Sequence, residues 1–253
     1  MPMWFIVENP TPLLNTKHFH LFLGGKTGSE VDLSCLELVA LPGMVLFLIE
    51  REGFIGTVQL QSYNQSPLYV DLRFGSISPH HPFLSCQRPQ RDEILESMEK
   101  RIGARYIWGG NWGDGIPELL SLYPPKSPLE DTIKSLWTLQ GVDCSGLLFE
   151  AAKGQTPRNT SDLCVFGAPV LCEGLSIDRI LSILEPLDMI VYPGHVIFVR
   201  DSDTVIESRS LYGGVKTTST YDRLQELLFT RIPIDSWDKK KDPSSFFMIR
   251  RMP

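Results

Sequence analysis

The sequence lacks the cysteine spacings that indicate a disulfide framework or a zinc ribbon. Its 253 residues include five cysteines, an odd number, and no two of them form a C-x-x-C pair. Both kinds of structural site depend on paired or closely spaced cysteines. We therefore expect free, reduced thiols, as in a cytoplasmic protein.

Long apolar runs and an excess of positive charge are also missing. The longest apolar run covers residues 44–49, far too short to span a bilayer. The N-terminus has neither a basic region nor a small-residue cleavage site, so we expect no signal peptide. With 24 basic and 30 acidic residues, the net charge is -6, which argues against nucleic acid as a partner. A cytoplasmic protein that binds a small ligand is the expectation.

Short apolar segments separated by turn residues dominate the first third of the chain. They predict strands over residues 36–41, 44–50, 55–60 and 68–74. Together these strands indicate a small all-β domain over residues 1–78, which is similar to a bacterial SH3-like barrel. Residues 79–90 are rich in proline and have no periodicity, so they predict a linker.

The pattern after the linker predicts a second domain over residues 91–253. Apolar residues at helical spacing indicate a helix over 91–102 that ends at Gly103. Further on, the pattern predicts a short helix over 177–184 and strands over 189–192, 195–199, 204–208 and 246–250. Helices followed by an antiparallel sheet are typical of the α+β class.

The segment Asp143-Cys144-Ser145-Gly146 places a cysteine at a predicted helix start. Asp143 is the expected N-cap, and Gly154 the expected C-terminal stop. At the first helical position, the helix dipole and unpaired backbone N–H groups favour a thiolate. Cys144 is therefore predicted to be a reactive nucleophile. The alternative is a small buried apolar side chain, which is what most free cysteines are.

A cysteine nucleophile needs a base to take its proton. Four of the five histidines lie at or before position 81, so His195 is the one that shares a domain with Cys144. We predict His195, at the start of a strand, as that base. The His80-His81 pair has no carboxylate or cysteine nearby at ligand spacing, so we expect a linker there and no metal site.

The base in turn needs a group that orients it, and hairpin geometry suggests Glu207. If the hairpin that follows His195 is centred on Asp201, Glu207 lies directly opposite His195 with Cβ atoms about 5 Å apart. A half-residue shift of that centre would instead put Ser208 opposite His195 and turn Glu207 to the other face. The alternative is an exposed strand glutamate.

Several short motifs of the second domain resemble the NlpC family of bacterial peptidases. These are papain-like cysteine enzymes that cut the peptide part of peptidoglycan. The resemblance covers residues 91–253 and rests on the segments G-x-x-Y-x-W-G-G at 103–110, D-C-S-G at 143–146, T-P-R-N-T-S at 156–161, G-H-V at 194–196 and R-R at 250–251.

The resemblance implies a papain-like catalytic domain with Cys144 as nucleophile, His195 as base and Glu207 as orienting residue. Family members commonly have histidine at this third place, so Glu207 is a departure. A carboxylate also orients an imidazole well. The departure therefore affects the identity of the third residue and not the expected reaction.

The resemblance also implies roles for residues around the nucleophile. Tyr106 is expected beside Cys144, where its hydroxyl helps to stabilise the oxyanion. Asp143, with Ser145 alongside, is expected to pair with the free α-amino group of an L-Ala-γ-D-Glu substrate. The other two predicted binding residues are Trp108, as an aromatic wall, and Ser161, as a contact for the peptide.

We therefore predict a cysteine peptidase that needs no cofactor and cuts the γ-D-glutamyl bond to a diamino acid in small peptidoglycan-derived peptides during recycling. One alternative is an amidase that separates muramic acid from L-alanine with the same triad. The other is a catalytically silent protein that binds wall peptides. Residues 111–140 exceed the family's usual gap between motifs, and we expect this segment to shape or cover the cleft.

Overall fold

The computed structural model of the chain describes residues 3–23, 31–61, 63, 67–82, 87–237 and 241–253. Within these ranges, two antiparallel sheets form the frame of the molecule. Cys35, Cys144, Cys164 and Cys172 are free thiols, while Cys86 lies outside the described residues. Residues 83–86 of the predicted linker also lie outside them.

The first sheet is built from the N-terminal part of the chain. Its elements are β1 (Met3–Val7), β2 (Thr11–Leu14), the short helix α1 (Phe19–Phe22), β3 (Leu36–Ala40), β4 (Val45–Glu52), β5 (Ile55–Gln59), β6 (Leu68–Asp71) and β7 (Gly75–Ser78). The strand order is β3-β2-β6-β5-β4-β1-β7, with antiparallel pairing at each step. The four predicted strands are confirmed, whereas β1, β2 and β7 had no prediction. The SH3-like assignment stays a prediction.

The second part of the chain begins with helices and ends with the second sheet. Its first elements are α2 (Arg91–Glu99), β8 (Asn111–Trp112), α3 (Glu118–Leu122), α4 (Asp131–Trp137), β9 (Gly141–Val142), α5 (Cys144–Ala151) and α6 (Thr160–Leu163). Then follow β10 (Ala168–Val170), α7 (Ile177–Leu181), β11 (Asp188–Tyr192), β12 (His195–Val199), β13 (Thr204–Arg209), β14 (Gly214–Ser219), α8 (Thr220–Thr230), β15 (Ile232–Pro233) and β16 (Phe246–Arg251). The α+β class is confirmed.

Helices cover both faces of the second sheet. Its central strands are ordered β16-β11-β12-β13-β14. Val196 and Phe198 pack with α5 in one apolar cluster, whereas Ile197 and Val199 pack with α8 in another. This alternation follows from the two-residue period of a strand. The sheet therefore separates a layer that holds α5 from a layer that holds α8.

The segment 111–140 packs against the first sheet. Trp137, which is fully buried, belongs to the same apolar cluster as the first-sheet strands. The Tyr123 hydroxyl donates a 2.6 Å hydrogen bond to Asp71 at the end of β6. Asn111 joins β3 through its side chain: Oδ1 accepts from the Val39 N–H at 2.9 Å, and Nδ2 donates to the Val39 carbonyl at 2.7 Å. The buried Asn111 amide thus extends the first sheet as a further strand residue would.

Replacing Asn111 with alanine tests this connection. The change leaves the N–H and C=O of Val39 buried without their partners, so we expect a loss of about 2 to 4 kcal/mol in the free energy of unfolding. Urea unfolding measures the loss. Asn15→Ala, which removes an exposed amide bonded to Glu37, is the matched control and should lose less than about 1 kcal/mol. Equal losses in the two variants would contradict the role given to Asn111.

Candidate active site

The helix α5 begins at Cys144, as the sequence predicts. Asp143 is its N-cap, and Asp143 Oδ1 accepts a 2.7 Å hydrogen bond from the Gly146 N–H. The helix ends at Ala151, and Gly154 follows with a φ of 75° in the left-handed region. Cys144 is only 7% exposed. The helix start therefore presents the thiol at the floor of the site.

The W-G-G segment at 108–110 packs against the D-C-S-G segment at this helix start. The Asp143 N–H donates to the Gly110 carbonyl at 2.9 Å, and the Gly109 N–H donates to Asp143 Oδ2 at 3.0 Å. A Cβ atom on Gly146 would lie 2.1 Å from the Gly110 carbonyl oxygen. Glycine is required there because the two backbones approach each other too closely for a side chain.

A buried ion pair compensates the charge of Asp143. Arg158 Nη2 lies 2.5 Å from Asp143 Oδ2, and Nη1 lies 3.0 Å from Oδ1. Arg158 Nη1 also donates to Ser145 Oγ at 2.8 Å, and Nε lies 3.3 Å from Asn111 Oδ1. Both carboxylate oxygens of Asp143 thus have partners within the protein. Arg158 lies in the T-P-R-N-T-S segment, but the sequence assigned it no role.

The surroundings of Cys144 favour a protonated thiol. Burial raises the pKa of the Cys144 thiol to about 12, and the charge of Asp143 adds to the increase. The Arg158 cation and the backbone N–H groups of Val196 and Ser145 act in the opposite direction. This direction is opposite to the thiolate expected from the helix start, because desolvation outweighs the helix terminus.

The register of the hairpin differs from the prediction. Phe198 pairs with Ile206, which centres the hairpin on Ser202, one residue later than predicted. The direct pairing of His195 with Glu207 is therefore wrong. A one-residue shift of the centre moves each partner by two positions, so Glu207 keeps the predicted face. Its Oε2 lies 2.6 Å from His195 Nε2.

Glu207 is fully buried and held by a second partner, Arg223 of α8. Arg223 Nε donates to Glu207 Oε1 at 2.7 Å, and Nη2 donates to Oε2 at 3.2 Å. Burial opposes ionisation of this carboxyl, but hydrogen bonds from His195 and Arg223 outweigh it and hold the pKa of Glu207 below its ordinary value. Ionised Glu207 can only accept, so the Nε2 of neutral His195 carries the proton and Nδ1 presents a lone pair.

Cys144 lies close to the N-terminal end of β12, the strand that begins with His195. Cys144 belongs to the layer of α5, whereas Glu207 and Arg223 belong to the layer of α8. The Val196 N–H beside the Cys144 sulfur is the backbone group that directly follows His195. Cys144 and His195 are thus brought near each other through neighbouring residues of one strand, from opposite layers of the sheet.

A cleft of about 530 Å³ opens above Cys144. Six of the eight predicted site residues line it: Tyr106, Trp108, Asp143, Cys144, Ser145 and Ser161; the other two, His195 and Glu207, are not among its described lining residues. Trp108 is 62% exposed at the cleft surface. Burial and the charges of Cys144 and Asp143 raise the pKa of Tyr106, so its hydroxyl keeps its proton and can donate it in a hydrogen bond.

Residues from the N-terminal part of the chain also line the cleft. Ser34, Leu36, Glu37 and Tyr63 line it. The Tyr63 hydroxyl donates a 2.7 Å hydrogen bond to Glu37 Oε2. Residues 111–140, which we expected to shape or cover the cleft, are not among its described lining residues. Their first residue, Asn111, instead joins β3 to the second part of the chain.

Sequence reasoning missed Arg158, Arg223, Glu37 and Tyr63. The sequence does contain a helix-start signal for α8, the helix that carries Arg223: Ser219 is a typical N-cap residue, and Leu224 and Leu227 follow at helical spacing. In the structure, Ser219 accepts a hydrogen bond from the Asp222 N–H. No local pattern indicates that Glu37 or Tyr63 lines a cleft together with Cys144, which is more than 80 positions away from each of them. In the described part of the chain, no group of three or more potential metal ligands occurs, and no helix is long and apolar enough to cross a bilayer.

Comparison with known proteins finds similarity among solved structures. No family model and no curated protein matches the chain. It is similar to an NlpC/P60 family protein from Bacillus cereus, with 14% identity and a TM-score of 0.39, over 99% of this chain and 63% of that chain. The chain thus spans less than two thirds of that protein's length.

Two proteins of Mycobacterium tuberculosis are also similar. One is the peptidoglycan hydrolase RipB, with 18% identity and a TM-score of 0.36 over 64% of each chain. The other is RipD, a non-catalytic NlpC/p60 domain protein adapted to peptidoglycan binding, with 16% identity and a TM-score of 0.35 over 64% of this chain and 98% of that one. The solved structures similar to this chain therefore include both a hydrolase and a non-catalytic protein.

The lowered pKa of Glu207 predicts how stability depends on pH. A carboxyl whose pKa is lower in the folded state stabilises the fold above its unfolded pKa of about 4.3, and this contribution is lost as the pH falls through the folded-state value. We expect the wild-type free energy of unfolding to decrease in that acidic window. Glu207→Gln should flatten the decrease, whereas Glu226→Gln, at the surface, should not. Urea unfolding across the window measures both, and an unchanged slope in Glu207→Gln would contradict the prediction.

Proposed function

We propose that this protein is a cysteine peptidase that hydrolyses the γ-D-glutamyl bond to a diamino acid in small peptidoglycan-derived peptides. The observation that carries the proposal is the position of Cys144. It starts a helix, lines a cleft and lies next to the N-terminal end of β12, the strand that begins with His195. The His195–Glu207 hydrogen bond of 2.6 Å supports the same reading. The choice of bond rests on the resemblance in sequence motifs.

In the proposed reaction, the thiol is neutral until substrate binds. His195 Nδ1 takes the Cys144 proton as the sulfur attacks the carbonyl carbon, and the carbonyl electron pair moves onto oxygen. The Cys144 N–H and the Tyr106 hydroxyl donate to this oxyanion. His195 then gives the proton to the leaving amine, which leaves a thioester on Cys144. Water, activated by His195, hydrolyses the thioester and restores the thiol.

Glu37 is the carboxylate that best suits a free amino end of the substrate. Tyr63 and Asn15 donate hydrogen bonds to its two oxygens, and no lysine or arginine pairs with it among the described residues. Asp143, the residue first predicted for this role, already has the buried Arg158 as its counter-ion. An ammonium group entering the cleft therefore finds an uncompensated negative charge at Glu37.

The free amino end also fits the proposed setting. A cytoplasmic enzyme that recycles soluble muropeptides would meet peptides whose α-amine is exposed. The first sheet places Glu37 and Tyr63 on one side of the cleft, where the amino end of such a peptide would lie. We propose that this side restricts the enzyme to short peptides.

A silent peptide-binding protein is the second candidate. The observation in its favour is the burial of Cys144, which raises the pKa of the thiol to about 12. A binding protein needs the cleft and not the nucleophile. Measurement of turnover separates the two candidates, because a silent protein would bind the peptide without cleaving it.

Mass spectrometry of the products from L-Ala-γ-D-Glu-diaminopimelate tests the reaction. We expect wild-type protein to release the diamino acid, and Cys144→Ala to stay folded and lose hydrolysis. Cys164→Ala is the matched control: it is also a buried thiol whose pKa burial raises to about 12, but it lies outside the cleft and should keep activity. Release of L-alanine from an intact muropeptide would instead identify an amidase. Binding without any product would identify the silent protein.

Acetylation of the substrate tests the amine site. With the free peptide, Glu37→Gln should raise KM by about tenfold to a hundredfold, equivalent to about 1.4 to 2.8 kcal/mol. N-acetylation should weaken the wild type similarly and have little further effect on Glu37→Gln. Asp143→Asn is the comparison. If acetylation loses its effect in Asp143→Asn and not in Glu37→Gln, the amine site belongs to Asp143 and our assignment of Glu37 is wrong.

A further inference from the structure

Behind the His195–Glu207 pair lies an arginine that the proposed mechanism does not use. Arg223 is 2% exposed and forms a fork with both oxygens of Glu207. Its remaining terminal nitrogen, Nη1, lies 2.9 Å from Glu226 Oε2 at the surface. The geometry therefore forms a line from the surface through Arg223 and Glu207 to the imidazole of His195.

We propose that Arg223 is a positioning residue that sets the proton affinity of His195 by acting through Glu207. The inference rests on the proposed cysteine peptidase function and adds a fourth residue to its machinery. Arg223 touches neither Cys144 nor the cleft, so its influence must pass through the carboxylate. It combines two effects, the fixed direction of a bidentate bond and the charge of a cation.

The positional effect follows from the fork. A lone carboxylate can rotate and offer either oxygen to an imidazole. With Arg223 Nε on Oε1 and Nη2 on Oε2, the plane of the Glu207 carboxylate is held in one orientation. Oε2 then faces His195 Nε2, and the imidazole presents Nδ1 in a single direction. Charge alone, as lysine would supply it, does not reproduce this constraint.

The charge effect has a definite sign. With Glu207 ionised and His195 neutral, the pair carries one negative charge, which the Arg223 cation stabilises. Binding of a proton removes that charge, whichever of the two residues takes it, so the cation lowers the apparent pKa of the pair. Arg223 thereby keeps His195 able to accept the Cys144 proton at lower pH than an unassisted carboxylate would allow.

Other titratable and charged side chains surround the His195–Glu207 pair. Among the described residues, those that face the pair from the packed elements are Tyr192 on β11, Arg209 on β13, Lys216 on β14, Asp222 and Glu226 on α8 and Arg231 after it, while Cys144 on α5 bonds the Val196 N–H next to His195. Lys216 is opposite Glu207 on the neighbouring strand, but its side chain is exposed. Arg209 pairs with the surface residue Glu226 at 3.0 Å. Arg223 is the buried cation in direct contact with Glu207.

The test measures the His195 pKa in the resting protein by 15N-edited NMR titration, with His195→Asn used to assign the signal. Arg223→Met should raise the apparent pKa of the pair by about one unit. The acidic limb of kcat/KM should move to higher pH with it, with about a tenfold loss of rate at pH values below the wild-type pKa. Arg223→Lys keeps the cation and should restore most of the pKa but not kcat, because it lacks the fork.

Arg209→Gln is the matched control, since it removes another arginine bound to Glu226 without touching Glu207. Its shift should be smaller than that of Arg223→Met. The effect of Arg223→Met on the His195 pKa should also vanish in a Glu207→Gln background. That background has no buried carboxylate to leave unpaired. The double variant can therefore be compared with Glu207→Gln even if Arg223→Met alone does not fold.

Two results would overturn the inference: an unchanged His195 pKa in Arg223→Met, or the same shift with and without Glu207. A wild type that hydrolyses no peptide, but shows the pKa shift on loss of Arg223, would refute the peptidase function and leave the effect of Arg223 on His195 in place. The NMR titration needs no substrate, so the two failures are distinguishable.

Discussion

The buried ion pair between Arg158 and Asp143 is the interaction on which the rest of the site depends. Asp143 caps the helix that starts with Cys144 and accepts the Gly109 N–H. Arg158 joins that cap to Asn111, whose amide completes the edge of β3. Loss of either partner would leave an unpaired buried charge, which is strongly destabilising. One ion pair therefore connects Cys144, the backbone at Gly109 and the first sheet.

A second buried ion pair organises the other layer. Glu207 and Arg223 lie on the α8 side of the sheet, and His195 is bonded to Glu207. Between the two ion pairs lies the start of β12, where the Val196 N–H bonds the Cys144 sulfur and His195 bonds Glu207. Each buried carboxylate has its own buried arginine as counter-ion, Arg158 for Asp143 and Arg223 for Glu207. Glu37 lines the cleft and pairs with no lysine or arginine among the described residues, and we propose it for the substrate's amine.

Local patterns predicted the elements better than their pairing. The start of α5 at Cys144 follows from N-cap chemistry, and β12 follows from a short apolar run. The hairpin after His195 was placed one residue off, since its turn residues do not define a single centre. The face of Glu207 survived that error because the side-chain period of a strand is two. The thiolate expected at Cys144 was wrong in direction, because burial raises the pKa of the thiol and a local sequence pattern does not reveal burial.

The sequence by itself determined the α+β class, the helix start at Cys144 and the strand start at His195, because capping residues and apolar periodicity act over a few positions. Only the tertiary structure decided that Arg158 neutralises Asp143, that Arg223 holds Glu207, and that Glu37 and Tyr63 line the cleft. The two ion pairs join residues 15 and 16 positions apart, and Glu37 and Tyr63 lie more than 80 positions before Cys144. Charge compensation and desolvation depend on such distant neighbours, and no short segment of the chain encodes them.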